Sequence, residues 1–290
     1  MKKSLLCVLT FGIAMIFSSA ADSQILKKIQ NAAAQGAQNA LEKKASSEAE
    51  KATAKKLEGL SGMMTGLEAP EKIESEYSFS GYMVMEVTST DEKGKSSDPT
   101  QIKTYLSESA NFSGMEFFDP KNPNLVTTMI MDAGNKASVI LMNDSGEKSS
   151  MAFKADYDQV QQTVDQESEK ELESGNYKLE KTGKTKTILG YDCVEYFVKN
   201  SDGEGYYWVT EKPIAGYSTF SAGGNPMVSD KTIDRYSSYF SNAPIGSFME
   251  LIFTSTDGSV SEMKVVEVEP SSSKTFNMSE YPNLNAGSEK

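Results

Sequence analysis

The sequence has 290 residues, contains no His, and carries 41 Asp and Glu against 29 Lys and Arg, for a net charge of −12. The absence of His excludes catalysis by an imidazole base and every His-ligated metal site. The acidic balance and the single arginine, Arg235, argue against binding to nucleic acid, which requires clustered cations to neutralise phosphates.

Residues 1–20 have the pattern of a secretory signal peptide, with a cationic start, an apolar run over Leu5–Phe17 and small residues after it. The run is shorter than the roughly 20 residues that a membrane-spanning helix needs. We therefore expect cleavage after Ala20, or after Ala21, and a mature protein in the periplasm that is not an integral membrane protein. Cys7 lies at the start of the apolar run rather than directly after it, so we do not expect a lipoprotein.

Residues 21–70 form an Ala-, Lys- and Glu-rich segment that predicts one or two helices followed by a flexible joint. Apolar residues recur at three-to-four spacing between Ile25 and Leu41, and several glycines precede Pro70. Two interpretations remain open. Residues 22–69 either dock on an envelope protein or on the protein's own groove, or they form a loosely held, solvated stalk.

Residues 71–270 change to a period of two and predict one β domain, followed by a polar C-terminal tail over residues 271–290. Alternation begins with Tyr77, Phe79, Met83, Met85 and Val87 in a single strand. Asp257-Gly258 lies between two alternating runs and predicts a hairpin with a two-residue turn. The further predicted strands are Ile102–Leu106, Asn111–Phe117, Leu125–Met131, Ser138–Met142, Ser149–Lys154, Tyr177–Thr182, Lys186–Lys199, Tyr206–Thr210, Gly216–Phe220, Phe248–Thr254 and Ser259–Val268.

Two segments interrupt the strand pattern and predict helices. Asp156–Leu172 is acidic, with apolar residues near helical spacing, and Ser229–Phe240 carries aromatic residues on one stripe behind a capping Ser or Asp. Many short strands with few helices predict one antiparallel sheet of about ten strands.

The chemistry-bearing residues form no catalytic pattern. There is no Gly-x-Ser-x-Gly motif and no His to activate a nucleophile, and the carboxylates are best interpreted as solvated acidic faces. Cys193 lies between acidic neighbours, which suppress thiolate formation, and we interpret it as a buried structural cysteine. We predict no catalytic residue, no metal site and no cofactor.

Methionines are the most informative side chains. Met83 and Met85, like Met129 and Met131, are separated by one residue, so each pair points to one face of its strand. Such side chains either fill the core or form a pliable apolar surface that receives a ligand. In Tyr206-Tyr207-Trp208 the outer two residues share a face. The predicted ligand-binding residues are Phe79, Met83, Met85, Met129, Met131 and Trp208.

Two neighbouring motifs resemble a known family. They run Ile188-Leu189-Gly190-Tyr191-Asp192-Cys193-Val194-Glu195-Tyr196 and Trp208-Val209-Thr210. The first is similar to the Ile-x-Gly-Tyr-x-Cys-x-x-Tyr strand, and the second to the Trp-Val-Thr strand, of an exported bacterial family of unknown function, DUF4412. That family is similar in fold to the LolA and LolB lipoprotein carriers, which are open half-barrels of ten or eleven antiparallel strands with helices on the concave face. The resemblance implies a groove for acyl chains and no catalytic residues.

The sequence thus predicts an α+β, mainly antiparallel β protein. Its expected architecture is an open half-barrel of about ten to eleven strands with helices on the concave face, preceded by the Ala-rich helical segment. The predicted function is a periplasmic binding protein that holds a lipid, a lipoprotein acyl chain or another apolar partner without catalysis. The alternative is a structural or protein-interaction module of the cell envelope with a self-filled core and no ligand.

Overall fold

The computed structural model describes residues 69–107, 111–118, 123–155, 177–214 and 246–283, together with Glu169. In this part of the chain the secondary structure consists of thirteen strands, one short 3₁₀ helix at Met278–Glu280, and Glu169 in α-helical conformation. The strands are β1 Glu76–Phe79, β2 Gly81–Thr90, β3 Thr100–Leu106, β4 Phe112–Phe118, β5 Leu125–Asp132, β6 Ala137–Asp144, β7 Glu147–Lys154, β8 Lys178–Ile188, β9 Tyr191–Lys199, β10 Gly203–Thr210, β11 Phe248–Ser255, β12 Val260–Glu269 and β13 Lys274–Asn277.

Eleven of the strands form one antiparallel sheet in the order β7-β6-β5-β4-β3-β2-β12-β11-β10-β9-β8. The outer strands β7 and β8 are not hydrogen-bonded to each other, so the sheet is open. β1 and β13 pair separately as a two-stranded sheet. The predicted open antiparallel sheet of ten to eleven strands is thereby confirmed.

The hairpin between β11 and β12 has the turn chemistry that its sequence predicts. Gly258 takes a positive φ of 85°, and the Asp257 carboxylate accepts a hydrogen bond from the Ser259 amide at 3.0 Å. The hairpin is present as predicted, but its last backbone bond joins Ser255 to Ser259, so the loop is three residues long and not two. This is the geometry in which a turn is followed by a left-handed glycine.

The predicted strand Lys186–Lys199 is wrong as a single element. The chain reverses at Leu189 and Gly190, which have φ of 51° and 83°, and it divides into the neighbouring strands β8 and β9. Two consecutive residues with positive φ fit the right-handed twist of a two-residue hairpin. Leu is rarely found in that conformation, so a turn was not expected at Leu189. The apolar pattern was therefore interpreted as one continuous strand.

The predicted strand beginning at Tyr77 is also divided, at Ser80. Residues before this point pair with β13, and residues after it enter the large sheet. Gly81 marks the junction, where a Cβ atom would lie 2.3 Å from the backbone oxygen of Glu269. The described part of the predicted polar tail differs from that prediction, because β13 buries Phe276 and the following residues bury Tyr281.

Some predictions fall outside the described residues. These are the signal peptide, almost the whole Ala-rich segment, the strand Gly216–Phe220, the helix Ser229–Phe240 and, apart from Glu169, the helix Asp156–Leu172. Apart from Glu169, which is α-helical, the 3₁₀ helix is the only helical part of the described residues. The predicted helices on the concave face are therefore not supported by the part of the chain that is described.

Both faces of the large sheet carry buried apolar clusters. One cluster crosses one face from Met131 on β5 through Met85 and Leu251 to Val198 on β9, and it also includes Cys193 on the other side of β9. The other lies on the opposite face, where the two-stranded sheet β1–β13 packs its aromatic residues onto β3–β7. The first cluster contains the candidate site.

Candidate functional site

Four of the six predicted ligand-binding residues lie on one face of adjacent strands. Directly paired residues of antiparallel strands point to the same face. Met83 pairs with Thr104, Thr104 with Met115, and Met115 with Met129, so one continuous row crosses β2 to β5. Met85 lies two residues after Met83 on β2, and Met131 lies two residues after Met129 on β5, so both point to the same face as the row. We call the surface formed by Met83, Met85, Met115, Met129 and Met131 the methionine face.

The methionine face is shielded from solvent. Met83, Met85, Met115 and Met131 are between 3% and 5% exposed, and Met129 is partly buried against them. The neighbouring strands continue the surface with the apolar side chains of Val265, Leu251 and Tyr207. A long, unbranched and polarizable side chain fills irregular space, so this surface has the adaptability that a variable apolar partner requires.

Two buried hydroxyl groups interrupt the methionine face. Thr104 lies between Met83 and Met115, and Ser113 pairs with Met131. Their oxygen atoms are buried, and neither has a hydrogen-bond partner in the protein. A buried polar group without a partner costs about 1–3 kcal/mol, and such groups are rare in folded proteins. On this face of β2–β5, Thr104 and Ser113 are the described residues whose buried hydroxyl groups lack a partner.

The same face carries no charge on β2–β5, within the parts of these strands that are described. Alternation places only apolar, hydroxyl-bearing and glycine residues there. They are Gly81, Met83, Met85, Val87, Ser89, Thr100, Ile102, Thr104, Leu106, Ser113, Met115, Phe117, Leu125, Thr127, Met129 and Met131. This surface therefore favours an uncharged group over an ionised one, because a buried charge needs a partner.

Phe79 does not share the methionine face. It lies on β1 and packs on the opposite side of the large sheet, with ring centroids 5.0 Å from Tyr105 and 6.1 Å from Phe276. The reason is the break at Ser80, since β1 leaves the large sheet and the alternation does not carry across from β2.

Trp208 also projects to the opposite face. It pairs with Glu195 and Glu250, and Lys186 places its ammonium 4.2 Å from the ring centroid. The predicted alternation in this strand is confirmed, because Tyr207 is fully buried whereas Tyr206 is 43% exposed. Counting along one strand gave the relative faces correctly, but it could not tell which face carries the methionines.

The opposite face holds two buried tyrosine–carboxylate pairs beside Phe79. The Tyr77 hydroxyl donates to Asp132 at 2.7 Å, and the Tyr105 hydroxyl donates to Glu116 at 2.6 Å. Burial is the largest cause that raises the pKa of both phenols, and the carboxylates raise it further. The Tyr77–Asp132 pair connects the two-stranded sheet to the large one, whereas the Tyr105–Glu116 pair joins the neighbouring strands β3 and β4 of the large sheet. Because the pKa of both phenols is raised, they stay protonated at neutral pH and cannot act as bases.

Cys193 is a buried free thiol, as the sequence predicts. Burial raises its pKa to about 11, and Asp192 and Glu250 add to the shift while Lys186 opposes it. A thiol of this kind is protonated at neutral pH and is a poor nucleophile. In the described ranges no three His, Cys, Asp or Glu residues are grouped to hold a metal ion. The same ranges contain no helix with the length and apolar character needed to cross a membrane.

Sequence reasoning missed Met115, Thr104 and Ser113 as members of the site. Thr104 could have been found from its strand, because it lies between Ile102 and Leu106 on a face that is otherwise apolar. A hydroxyl-bearing residue in the middle of an apolar face indicates a possible polar contact. Ser113 and Met115 carry no comparable signal, because only the pairing of β4 with β5 brings them to this surface.

Comparison with known families shows the family to which the chain belongs. A profile described as "Domain of unknown function (DUF4412)" matches residues 79–279, which is more than half of the sequence. The chain belongs to this family, as its motifs around Cys193 and Trp208 predict. Comparison with curated proteins gives no match.

Several solved structures have a distant likeness to the chain. PNGF-II is 12% identical with a TM-score of 0.29, over 72% of this chain and 30% of its own. The lipoprotein LppX of Mycobacterium tuberculosis is 9% identical with a TM-score of 0.29, over 66% and 86%. MucB, solved in complex with MucA, is 9% identical with a TM-score of 0.24, over 71% and 55%. This chain thus spans about 30% of PNGF-II, and TM-scores this low support no conclusion about function.

Proposed function

We propose that the protein is a binding protein of the cell envelope that shelters an acyl chain, a lipid or another apolar partner against its methionine face, without catalysis. The observation that carries the proposal is the row Met83, Thr104, Met115 and Met129, which crosses four adjacent strands on one uncharged face. Flexible thioether side chains on an open sheet suit a ligand of variable shape.

The energetic basis of this function is the removal of hydrocarbon from water. An acyl chain gains about 0.8 kcal/mol for each CH₂ group that is buried. An open sheet with one apolar face supplies such shelter when its curvature leaves space beside the strands. The helices predicted over Asp156–Leu172 and Ser229–Phe240 would cover the concave face of this sheet, as the family resemblance implies.

Export belongs to the same proposal. The signal-peptide pattern of residues 1–20 supports delivery to the periplasm, where lipids and lipoproteins must cross water between two membranes. Residues 22–69 would then dock through their Ala-rich stripe, either on an envelope protein or on the protein's own groove, or they would form a solvated stalk.

One observation favours the alternative function, a structural or interaction module with a self-filled core. Met83, Met85 and Met131 are at most 4% exposed, so the protein's own atoms already surround them. In that case the methionines serve only as packing material, and the protein has no apolar ligand.

A binding experiment separates the two functions. The probe is pyrene carrying an uncharged dodecyl chain, whose emission changes when it leaves water for an apolar site. We expect the full chain to bind this probe. Met115→Gln with Met129→Gln should weaken binding at least tenfold, because glutamine keeps the length of methionine but brings an amide onto the apolar surface.

The matched control is Ile252→Gln, which makes the same kind of change on the opposite face, where Ile252 is 41% exposed. It should leave binding unchanged. If the unaltered chain does not bind the probe, or if the methionine variants bind it as tightly as the control does, the alternative function is correct.

A further inference from the structure

We propose that the hydroxyl groups of Thr104 and Ser113 bind the carbonyl group of an ester-linked acyl chain, so that the ligand is a neutral acyl ester rather than a free fatty acid. This inference rests on the proposed function and specifies its ligand class.

The first support is the state of the two hydroxyls. Both oxygen atoms are buried, and neither has a hydrogen-bond partner in the protein. Buried hydroxyls in folded proteins normally donate or accept at least one hydrogen bond. An acceptor on a ligand would satisfy both groups, because a carbonyl oxygen has two lone pairs.

The second support is their relative position. Tyr105 pairs with Gly114, and the two hydroxyl-bearing residues lie on either side of this pair, with Thr104 on β3 and Ser113 on β4. Such diagonal positions on one face have Cβ atoms about 7 Å apart. The two hydroxyls are therefore near enough to approach one ester group, while Met83, Met115 and Met131 beside them contact the hydrocarbon chain.

The third support is the absence of a charge partner on this surface. The described residues of β2–β5 place no Lys or Arg on the methionine face. An ionised carboxylate brought there would lose its hydration without gaining a cation, and that loss is large. An ester presents the same carbonyl acceptor without the charge, so it satisfies the hydroxyls at a smaller desolvation cost.

The test measures how three competitors displace the dodecyl-pyrene probe from the full chain at pH 8. Methyl palmitate carries an ester, palmitate carries a carboxylate, and heptadecane carries neither. We expect methyl palmitate to bind about tenfold more tightly than each of the others, as one or two hydrogen bonds allow. In the double variant Thr104→Val, Ser113→Ala, that preference over heptadecane should disappear, while the affinity for heptadecane stays the same.

Two controls keep the result specific to the hydroxyls. Thr104→Ser retains the hydroxyl and should retain the ester preference. Thr128→Val removes a hydroxyl from a buried position on the opposite face and should change nothing. The melting temperature of Thr104→Val without ligand should equal or exceed that of the unaltered chain, because the variant removes a buried hydroxyl that lacks a partner.

Three results would overturn the inference while leaving apolar binding intact. They are equal affinity for ester and heptadecane, tighter binding of palmitate, and a preference that survives in the double variant. A drop of several degrees in the melting temperature of Thr104→Val would also overturn it, since the hydroxyl would then have a partner within the protein. If the probe itself does not bind, the proposed function fails and this inference fails with it.

Discussion

The ring of Phe79 lies where a side chain on residue 114 would have to stand. A Cβ atom added to Gly114 would be 2.7 Å from Cζ of Phe79 and 3.3 Å from the ring of Tyr105. This close approach lets β1 pack its aromatic residue directly onto β4. It also explains why Phe79 belongs to the aromatic cluster and not to the methionine face.

Gly114→Ala should therefore destabilise the protein. The added methyl group forces the ring of Phe79 to shift within a packed aromatic cluster, which typically costs about 1–3 kcal/mol. The measurement is the free energy of unfolding from urea titration. Adding Phe79→Leu to this variant should cost less than the same change costs in the unaltered chain, because a smaller side chain relieves the clash. Strictly additive effects of the two changes would contradict the contact.

The tyrosine–carboxylate pairs predict how stability depends on alkaline pH. In the folded protein the pKa values of Tyr77 and Tyr105 are raised, whereas unfolded tyrosines ionise near pH 10. Above about pH 10 the unfolded chain releases protons that the folded chain keeps, so the free energy of unfolding falls as the pH rises. Below that pH both states are protonated and the contribution is fully present.

Tyr105→Phe tests this relation. We expect it to lower stability at pH 7 by about 1–3 kcal/mol, because Glu116 is buried and loses a hydrogen-bond donor. The variant should also lose stability less steeply between pH 10 and pH 11.5. Tyr206→Phe, at an exposed position, is the control for a general alkaline effect. If the two variants have the same slope, the phenol of Tyr105 is not protected as the structure requires.

The turn between β8 and β9 offers a stabilising substitution. Leu189 has a φ of 51°, which strains its backbone. Its side chain is 49% exposed, so burial offsets little of this strain. Leu189→Asn should raise the free energy of unfolding by about 0.5–1 kcal/mol, because Asn tolerates this conformation. Gly190→Ala, at a φ of 83°, should have the opposite effect. A loss of stability in the Asn variant would contradict the assigned turn.

The same turn illustrates what the sequence could and could not provide. Alternation and turn residues predicted one antiparallel sheet of about ten strands and the hairpin at Asp257-Gly258, because these signals are local. That the sheet is open was implied only by the family resemblance. The reversal at Leu189 escaped prediction, since Gly190 is the only characteristic turn residue there and its neighbour Leu189 continues the apolar pattern of the strands. Likewise, the departure of β1 from the sheet depends on β13, which is nearly 200 residues away.

The methionine face could also be predicted only in part from the sequence. The period of two placed Met83 with Met85, and Met129 with Met131, on common faces. Joining the two pairs required the register of β3 and β4, which lie between them. No pattern within one strand could separate Trp208 from the methionines, because the choice of face depends on what each side of the sheet packs against.

Cys193 should be nearly unreactive in the folded protein. Its thiol is 1% exposed and burial raises its pKa to about 11, so little thiolate forms at pH 8. Alkylation by iodoacetamide, followed by peptide mass measurement at this residue, should be at least about a hundredfold slower in native protein than in guanidinium. A comparable rate in both conditions would mean that the thiol is open to solvent.

Native mass spectrometry of the chain, after export and mild purification from a bacterial envelope, would show whether the methionine face holds an apolar ligand. We expect a mass that exceeds the protein mass by that of a lipid. Organic extraction should remove this excess and lower the melting temperature. A mass equal to that of the protein alone, with a melting temperature unaffected by extraction, would mean that no apolar ligand is bound.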